Sequence, residues 1–199
     1  EGGISLMAMA EAYGMTVTPK GSGDPELRQV AQKCVDWAVK SQCPAGGWDY
    51  TPNSQRVDTS VTGWWVMGLK SAKISGLDVP YEVFAKALKY IEKATGVQGD
   101  DGYGGASVSY ATDNAPTLDQ VKTGSGSTRM TAVSLTVLQF LGKDRNDPQV
   151  LGCANQTLKD GVPAANEMDF YRWYYASLGM YQMGERSEIW KQWNKPMAK

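Results

Sequence analysis

Two kinds of apolar pattern alternate along the chain, and both have the spacing of an α-helix. In the first kind, apolar residues recur every three or four positions and charged residues take the other face, as in the stretch from Val83 to Lys93. This one-sided pattern is typical of a helix with one face in water. It predicts outer helices near residues 25–42, 80–95, 148–158 and 188–198.

The second kind of segment is apolar or small nearly all round, as expected of a helix that is covered on several sides. Segments of this kind predict inner helices near residues 4–13, 59–75, 128–141 and 169–183. Residues 59–69 align by residue type with residues 128–138. This similarity indicates a degenerate internal repeat.

Helix start and stop signals separate the two kinds of segment. An Asp precedes a proline at Asp24-Pro25, Asp78-Val79-Pro80 and Asp147-Pro148, and a glycine lies shortly upstream of each, at Gly14, Gly76 and Gly142. Asp caps the first turn of a helix, Pro suits the first helical position, and Gly adopts the left-handed conformation that ends a helix. These signals predict a series of helical hairpins.

Alternating inner and outer helices predict an all-α fold, an α/α toroid or partial α/α barrel of about four helical hairpins, with residues 1–199 as one domain. The chain opens with a Gly-Gly pair directly before a helical segment, which suggests a fragment or part of a larger protein. An open arc of hairpins leaves two apolar flanks. We therefore expect the remainder of its own polypeptide or a protein partner to cover them.

The connections that lead from an outer helix to the next inner helix are long and rich in glycine and aromatic residues, near residues 43–58 and 96–127. All of them should lie on one rim of the arc, beside the N-terminal ends of the inner helices. A connection of about 30 residues is long enough to be functional or partly disordered. The candidate ligand-binding residues on this rim are Trp48, Asp49, Tyr50, Asp58, Trp64, Trp65, Tyr103, Arg129, Trp173 and Tyr174.

Each of these candidates also has a structural interpretation. The aromatic residues can fill the centre of a narrow ring instead of lining a pocket. Asp58 and Asp169 stand where inner helices need N-caps, and Arg129 can form a salt bridge with a rim Asp.

Composition excludes several classes of function. The 199 residues carry 20 basic and 21 acidic side chains, so no strong charge points to nucleic acid or to an anionic membrane, and no apolar run is long enough for a membrane span. The chain contains no histidine, which excludes His-centred triads and His-ligated zinc.

Three cysteines, Cys34, Cys43 and Cys153, leave open whether one disulfide forms. We expect a soluble chain without metal or cofactor, and its compartment, including export, stays open.

Several motifs resemble one family of α/α toroids. Gln42-Cys-Pro-Ala-Gly-Gly-Trp48 matches the Gln-x-x-x-Gly-x-Trp (QW) motif of squalene and hopene cyclases, in which Gln42, Gly46, Gly47 and Trp48 have a structural role. Asp101-Gly-Tyr-Gly-Gly105 is similar to a degenerate turn of the same repeat. Other segments, such as Asp58-Thr-Ser-Val-Thr-Gly-Trp64, are similar to bacterial prenyltransferase and squalene oxidase repeat proteins. The resemblance implies the terpenoid-cyclase and protein-prenyltransferase toroid, normally of six hairpins.

The chain departs from every known chemistry of that superfamily. The cyclases use an acid from an Asp-x-Asp-Asp motif, the prenyltransferases use an Asp, Cys and His zinc site, and complement-like thioester domains use Gly-Cys-Gly-Glu-Gln; none of the three occurs here. The sequence therefore favours a non-catalytic binding or scaffolding module. We expect it to have no catalytic residue and to bind a hydrophobic, sugar-like or peptide ligand. Two alternatives stay open: an isoprenoid cyclase-like or polysaccharide-active enzyme whose catalytic residues lie partly outside this chain, and a structural assembly component.

Overall fold

The start and stop signals in the sequence correspond to helix boundaries in the structure, a computed structural model that describes residues 2–19, 21, 23–124 and 126–198. Within these ranges the chain forms eight α-helices: α1 (Gly2–Thr16), α2 (Pro25–Ser41), α3 (Thr59–Ile74), α4 (Tyr81–Ala94), α5 (Thr128–Phe140), α6 (Pro148–Lys159), α7 (Phe170–Gln182) and α8 (Glu188–Met197). All eight predicted helices are present, with bounds that differ by three residues or fewer. The predicted all-α class is confirmed.

The odd-numbered helices pack on one another in chain order, α1 on α3, α3 on α5 and α5 on α7. The even-numbered helices lie against this row: α2 packs on α1, α6 on α5, α8 on α7, and α4 on both α3 and α5. Most of α3 and α5 is buried, whereas the even-numbered helices bury one face. The prediction of helices covered on several sides is therefore confirmed for α3 and α5, but it is wrong for α1 and α7, which lie at the two ends of the row and bury only four and five residues.

Glycine residues allow the odd-numbered helices to approach closely. A Cβ atom on Gly68 of α3 would lie 2.7 Å from the carbonyl oxygen of Gly3 in α1. A Cβ on Gly179 of α7 would lie 2.6 Å from a carbon of the Leu135 side chain in α5. Both distances are too short for a real side chain, so these positions require glycine or a shift of the neighbouring helix.

Most of the predicted caps are observed. The carboxylates of Asp24 and Asp147 accept backbone N–H groups in the first turns of α2 and α6, at 2.9 Å in each case. Asp78 is an exception, because α4 begins only at Tyr81 and Pro80 occupies its capping position without a side-chain bond. The Asp78 side chain instead pairs with Arg28 of α2 at 3.2 Å. Asp78 does not cap α4 because two residues separate it from the first residue of that helix, whereas Asp24 and Asp147 directly precede α2 and α6.

The predicted stop at Gly14 is also wrong. Helix α1 continues to Thr16, and Gly14 is a helical residue whose Cβ would lie 2.5 Å from the Ser75 hydroxyl oxygen. Here glycine provides close packing between helices and not a left-handed turn. Gly76 and Gly142, by contrast, have φ angles of +81° and +100° and follow the ends of α3 and α5, as predicted.

The long connections contain short strands that the sequence did not predict. Strand β1 (Val57–Asp58) pairs antiparallel with β4 (Ala111–Thr112), and β2 (Thr95–Val97) pairs antiparallel with β3 (Ala106–Val108). A short 3-10 turn follows at Leu118–Gln120. Because β1 and β4 belong to different connections, their pairing fastens the two long connections to each other directly before the first residue of α3. None of the helices in the described ranges is long and apolar enough to cross a membrane.

Candidate functional site

A cavity of about 700 Å³ lies at the N-terminal ends of the odd-numbered helices. Five of the predicted rim residues line it: Asp49, Tyr50, Trp64, Trp65 and Arg129. The rest of the lining comes from the start of α1, the end of α2, the first connection, and the first turns of α3, α5 and α7, with the further aromatic residues Trp37, Tyr110 and Tyr171. We call this cavity the rim pocket.

The Gln42 to Trp48 segment shapes the chain below the rim pocket. The Gln42 amide donates to the carbonyl oxygens of Gly46, at 2.7 Å, and of Val83 in α4, at 3.0 Å. Gly46 has a φ of +101°. A Cβ on Gly47 would lie 2.5 Å from a methyl carbon of Val57. These contacts hold a tight reversal between α2 and α3.

Trp48 fills the space beneath that reversal. Its ring is fully buried and stacks on Trp65 of α3 with a centroid distance of 6.2 Å. Its indole N–H donates to the carbonyl oxygen of Ala38 in α2 at 2.9 Å. Trp48 therefore joins α2 to α3 and supports Trp65, which lines the rim pocket, without lining the pocket itself.

Arg56 gathers three carboxylates at the edge of the pocket. Its guanidinium group pairs with Asp49, with Asp58 at 2.8 Å and with Asp113 of the second connection at 3.2 Å. Burial alone would lower the pKa of Arg56, but the bond to Asp58 and the nearby charge of Asp49 raise it. The guanidinium group is therefore a permanent cation that ties both connections together. Sequence reasoning missed Arg56, although its position between Asp49 and Asp58 in one connection was a usable signal.

Asp58 has the capping role that the structural interpretation assigned to it. It is fully buried, and its carboxylate accepts the backbone N–H groups of Ser60 at 2.9 Å and Val61 at 3.1 Å. The same oxygen accepts the Ser60 hydroxyl. With Arg56 on the second oxygen, Asp58 has its hydrogen-bonding capacity occupied by protein groups.

Arg129 and Asp169 form an ion pair across the first turns of α5 and α7. The Nε atom of Arg129 lies 2.7 Å from a carboxylate oxygen of Asp169, whose other oxygen accepts the Arg172 backbone N–H at 3.1 Å. Burial would raise the pKa of Asp169, but the bond from Arg129, the backbone bond from Arg172 and the charges of both arginines together lower that pKa. Among the described residues, the terminal nitrogens of Arg129 have no hydrogen-bond partner, so they remain available to a ligand.

Two residues of the pocket lining, Trp64 and Tyr171, belong to a cluster of packed aromatic rings. Trp64 of α3 stacks on Tyr174 of α7 at 5.8 Å and meets the edges of Tyr171 and Tyr175 at 6.5 and 5.5 Å. The hydroxyl groups of Tyr171 and Tyr175 are buried without a hydrogen-bond partner of good geometry. Burial raises the pKa of both phenols, so they stay neutral at physiological pH.

Three further aromatic side chains stand free at the mouth of the pocket. Trp37 is 50% exposed, Tyr50 is 74% exposed and Tyr110 is 44% exposed. None of the three has an aromatic ring packed against it within the described ranges. Trp37 and Tyr110 were missed by sequence reasoning, because Trp37 belongs to an outer helix and Tyr110 to a strand-containing connection.

Three predicted candidates lie elsewhere. Tyr103 is 69% exposed on the second connection and does not line the rim pocket. Trp173 and Tyr174 both line a groove of about 810 Å³ beside α7 and α8, which we call the flank groove. Residues along a helix point in different directions, so Tyr171 of α7 reaches the rim pocket while Trp173 does not.

The flank groove has an almost entirely apolar lining. Large side chains that are exposed there include Met168, Phe170, Tyr181 and Met197, together with Tyr174. A row of exposed apolar residues of this kind marks a surface that a second molecule or segment can cover.

The described residues contain no cluster of His, Cys, Asp or Glu that could hold a metal ion. All three cysteines are free thiols in the structure. Burial raises the pKa of Cys43 to about 11 and that of Cys153 to about 12, so neither is a reactive thiolate near neutral pH.

No family model, curated protein or solved structure matches this chain. The resemblance to prenyltransferase and squalene oxidase repeat proteins therefore stays a prediction that rests on the motifs in the sequence.

Proposed function

We propose that the protein is a non-catalytic binding module with the terpenoid-cyclase-like toroid fold, of which this chain supplies four hairpins. The supporting observation is the rim pocket, where aromatic residues, Asp49 and Arg129 from four helices and two connections face one cavity. Its volume falls in the range of small-ligand sites. The four packed pairs of inner and outer helices favour the toroid, since each hairpin extends the row by one inner helix.

The state of the carboxylates favours binding over acid catalysis. A catalytic acid must hold a proton near neutral pH, which requires a raised pKa. The pKa of Asp169 is lowered, and Asp49 and Asp58 both pair with Arg56. Asp101 lies on an exposed turn, where its carboxylate accepts the backbone N–H of Tyr103 at 3.0 Å.

A binding screen with a product assay tests this function. The purified chain is titrated with squalene, neutral oligosaccharides and aromatic-rich peptides, and binding is followed by calorimetry. We expect at least one ligand to bind and to be recovered unchanged by mass spectrometry. Turnover of squalene, or of isoprenyl diphosphates with a thiol peptide, that Asp101→Asn abolishes would establish the enzyme alternative instead.

A second candidate function is that of a structural assembly component, and the flank groove favours it. Its apolar surface beside α7 and α8 suits a protein partner or a further segment of the same polypeptide. Sedimentation at increasing concentration tests self-association through this surface. If copies associate there, Phe170→Glu weakens association, whereas Tyr81→Glu, at an exposed tyrosine on α4, leaves it unchanged.

A further inference from the structure

The lining of the rim pocket carries information about the class of ligand, and this inference rests on the proposed binding function. The pocket combines aromatic faces with polar groups, whereas the flank groove is apolar almost throughout. A long apolar ligand would leave polar groups of the rim pocket buried and unpaired, which is unfavourable. The pocket therefore suits a ligand that has both apolar faces and hydrogen-bonding groups.

Aromatic faces are available at the mouth of the pocket. Trp37, Tyr50 and Tyr110 come from three separate elements, are exposed to solvent and have no aromatic ring packed on them in the described ranges. Exposed aromatic rings that line one cavity form platforms for the flat apolar faces of a ligand. The rings of Trp64 and Tyr171, which pack edge to face, also line the pocket.

Polar groups lie in the same cavity. The terminal nitrogens of Arg129 have no hydrogen-bond partner among the described residues. Asp49 also lines the cavity, and it adds carboxylate acceptors. Together these groups offer donors and acceptors to the hydroxyl groups of a ligand.

The charges around the pocket disfavour an anionic ligand. The ion pairs that border it contain four carboxylates, from Asp49, Asp58, Asp113 and Asp169, and only two guanidinium groups. Two of these carboxylates, Asp58 and Asp169, also cap the positive N-terminal ends of α3 and α7. The remaining excess of negative charge opposes the binding of a diphosphate or a uronate. A neutral ligand meets no such barrier.

We infer that the rim pocket binds a neutral oligosaccharide, with sugar rings stacked on Trp37, Tyr50 or Tyr110 and hydroxyl groups bonded to Arg129 and Asp49. A pyranose ring has one flat face of C–H groups and a periphery of hydroxyls, which matches aromatic platforms beside a donor group and a carboxylate acceptor. The volume of about 700 Å³ accommodates a few sugar rings, and the open mouth lets a longer chain continue into solvent.

Isothermal titration calorimetry on the purified chain tests this inference with hexasaccharides of cellulose, xylan, mannan and chitin, and with a galacturonic acid hexamer as the anionic comparison. We expect saturable binding of at least one neutral hexasaccharide and binding of the anionic hexamer at least about ten-fold weaker. Trp37→Ala and Tyr50→Ala should each weaken the neutral complex about ten-fold. Tyr103→Ala is the matched control, since Tyr103 is equally exposed on a connection but lies outside the pocket. Its affinity should stay within about two-fold of the parent chain.

Farnesol and an aromatic-rich hexapeptide are titrated in parallel, so that a failure of the saccharide inference can be distinguished from a failure of the proposed binding function. The saccharide inference is overturned if no neutral hexasaccharide binds, if the anionic hexamer binds more tightly, or if Trp37→Ala and Tyr50→Ala both retain full affinity. If farnesol or the peptide then binds in a Tyr50-dependent way, the binding function of the pocket stands without the saccharide. If none of the saccharides, farnesol and the peptide shows Tyr50-dependent binding, the saccharide inference and the binding function of the rim pocket are both refuted. Circular dichroism of each variant verifies that these exposed substitutions leave the fold intact.

Discussion

Replacement of Trp48 by Ala tests how the first connection is held on the helices. The Trp48 ring has no exposed surface, stacks on Trp65 and donates a hydrogen bond to the carbonyl oxygen of Ala38. Removing it takes away a large buried aromatic ring between α2 and α3 and leaves a cavity beneath the rim pocket.

The expected loss of unfolding free energy is about 3 to 5 kcal/mol, the usual cost of truncating a buried Trp or Phe to Ala. Trp48→Phe separates the contributions, because it keeps most of the ring and removes the indole N–H. We expect this variant to lose about 1 to 3 kcal/mol, from the missing hydrogen bond and the smaller ring. Asp147→Ala removes the cap of α6 and should cost about 1 kcal/mol.

Urea denaturation followed by circular dichroism measures these differences, and Trp37→Ala on α2 is the control for loss of an indole at an exposed position. Trp37 is half exposed, so its removal should cost about 0.5 kcal/mol or less. The reasoning is refuted if Trp48→Ala costs no more than Trp37→Ala, or if Asp147→Ala is the more damaging change. Either result would mean that Trp48 does not hold α2 and α3 together.

Three further predictions follow from individual contacts. Asp169→Asn should keep the cap of α7 but lose the ion pair, at a cost of about 0.5 kcal/mol at pH 7. The folded-state pKa of Asp169 lies below its ordinary value of 3.8, so the stability that the ion pair contributes is present above that value and is lost as pH falls through the lowered pKa. The melting temperatures of the parent and the variant should therefore converge in acid. Cys43 and Cys153 are buried and have raised pKa values, so they should react with a thiol reagent at pH 8 only after unfolding. The partly exposed Cys34 should react first. Immediate reaction of all three thiols in the native protein would contradict the packing. Gly179→Ala should destabilise the chain by about 1 to 3 kcal/mol because its methyl group would meet a buried leucine of α5, and an unchanged melting temperature would show that α5 and α7 are less tightly packed.

The helices could be predicted from the sequence because their signals are local. A capping Asp, a proline at the first helical position and an apolar residue every three or four positions all act within one or two turns. Two local predictions failed where a residue had a different partner. Asp78 pairs with Arg28 of α2, and Gly14 packs against Ser75, the residue that follows α3.

The site could be predicted only in part. The rim location followed from the order of helices and connections, and Tyr50, Trp64 and Arg129 do line the pocket. Trp37 and Tyr110 were missed, and Tyr103 lies outside the pocket. Which side chains face one cavity depends on the rotation of each helix and the path of each connection, and neither is visible in a short stretch of sequence.

The sequence by itself determined the eight helices and their alternation, because helix formation and capping depend on neighbours within a few residues. Only the tertiary structure decided that Arg56 ties Asp49 and Asp58 of one connection to Asp113 of the other, and that α7 brings Tyr171 against Trp64. The contacts of Arg56 with Asp113 and of Trp64 with Tyr171 join residues that are far apart in the chain. They exist because packed helices and paired strands hold the connections in place, and no local pattern encodes such long-range contacts.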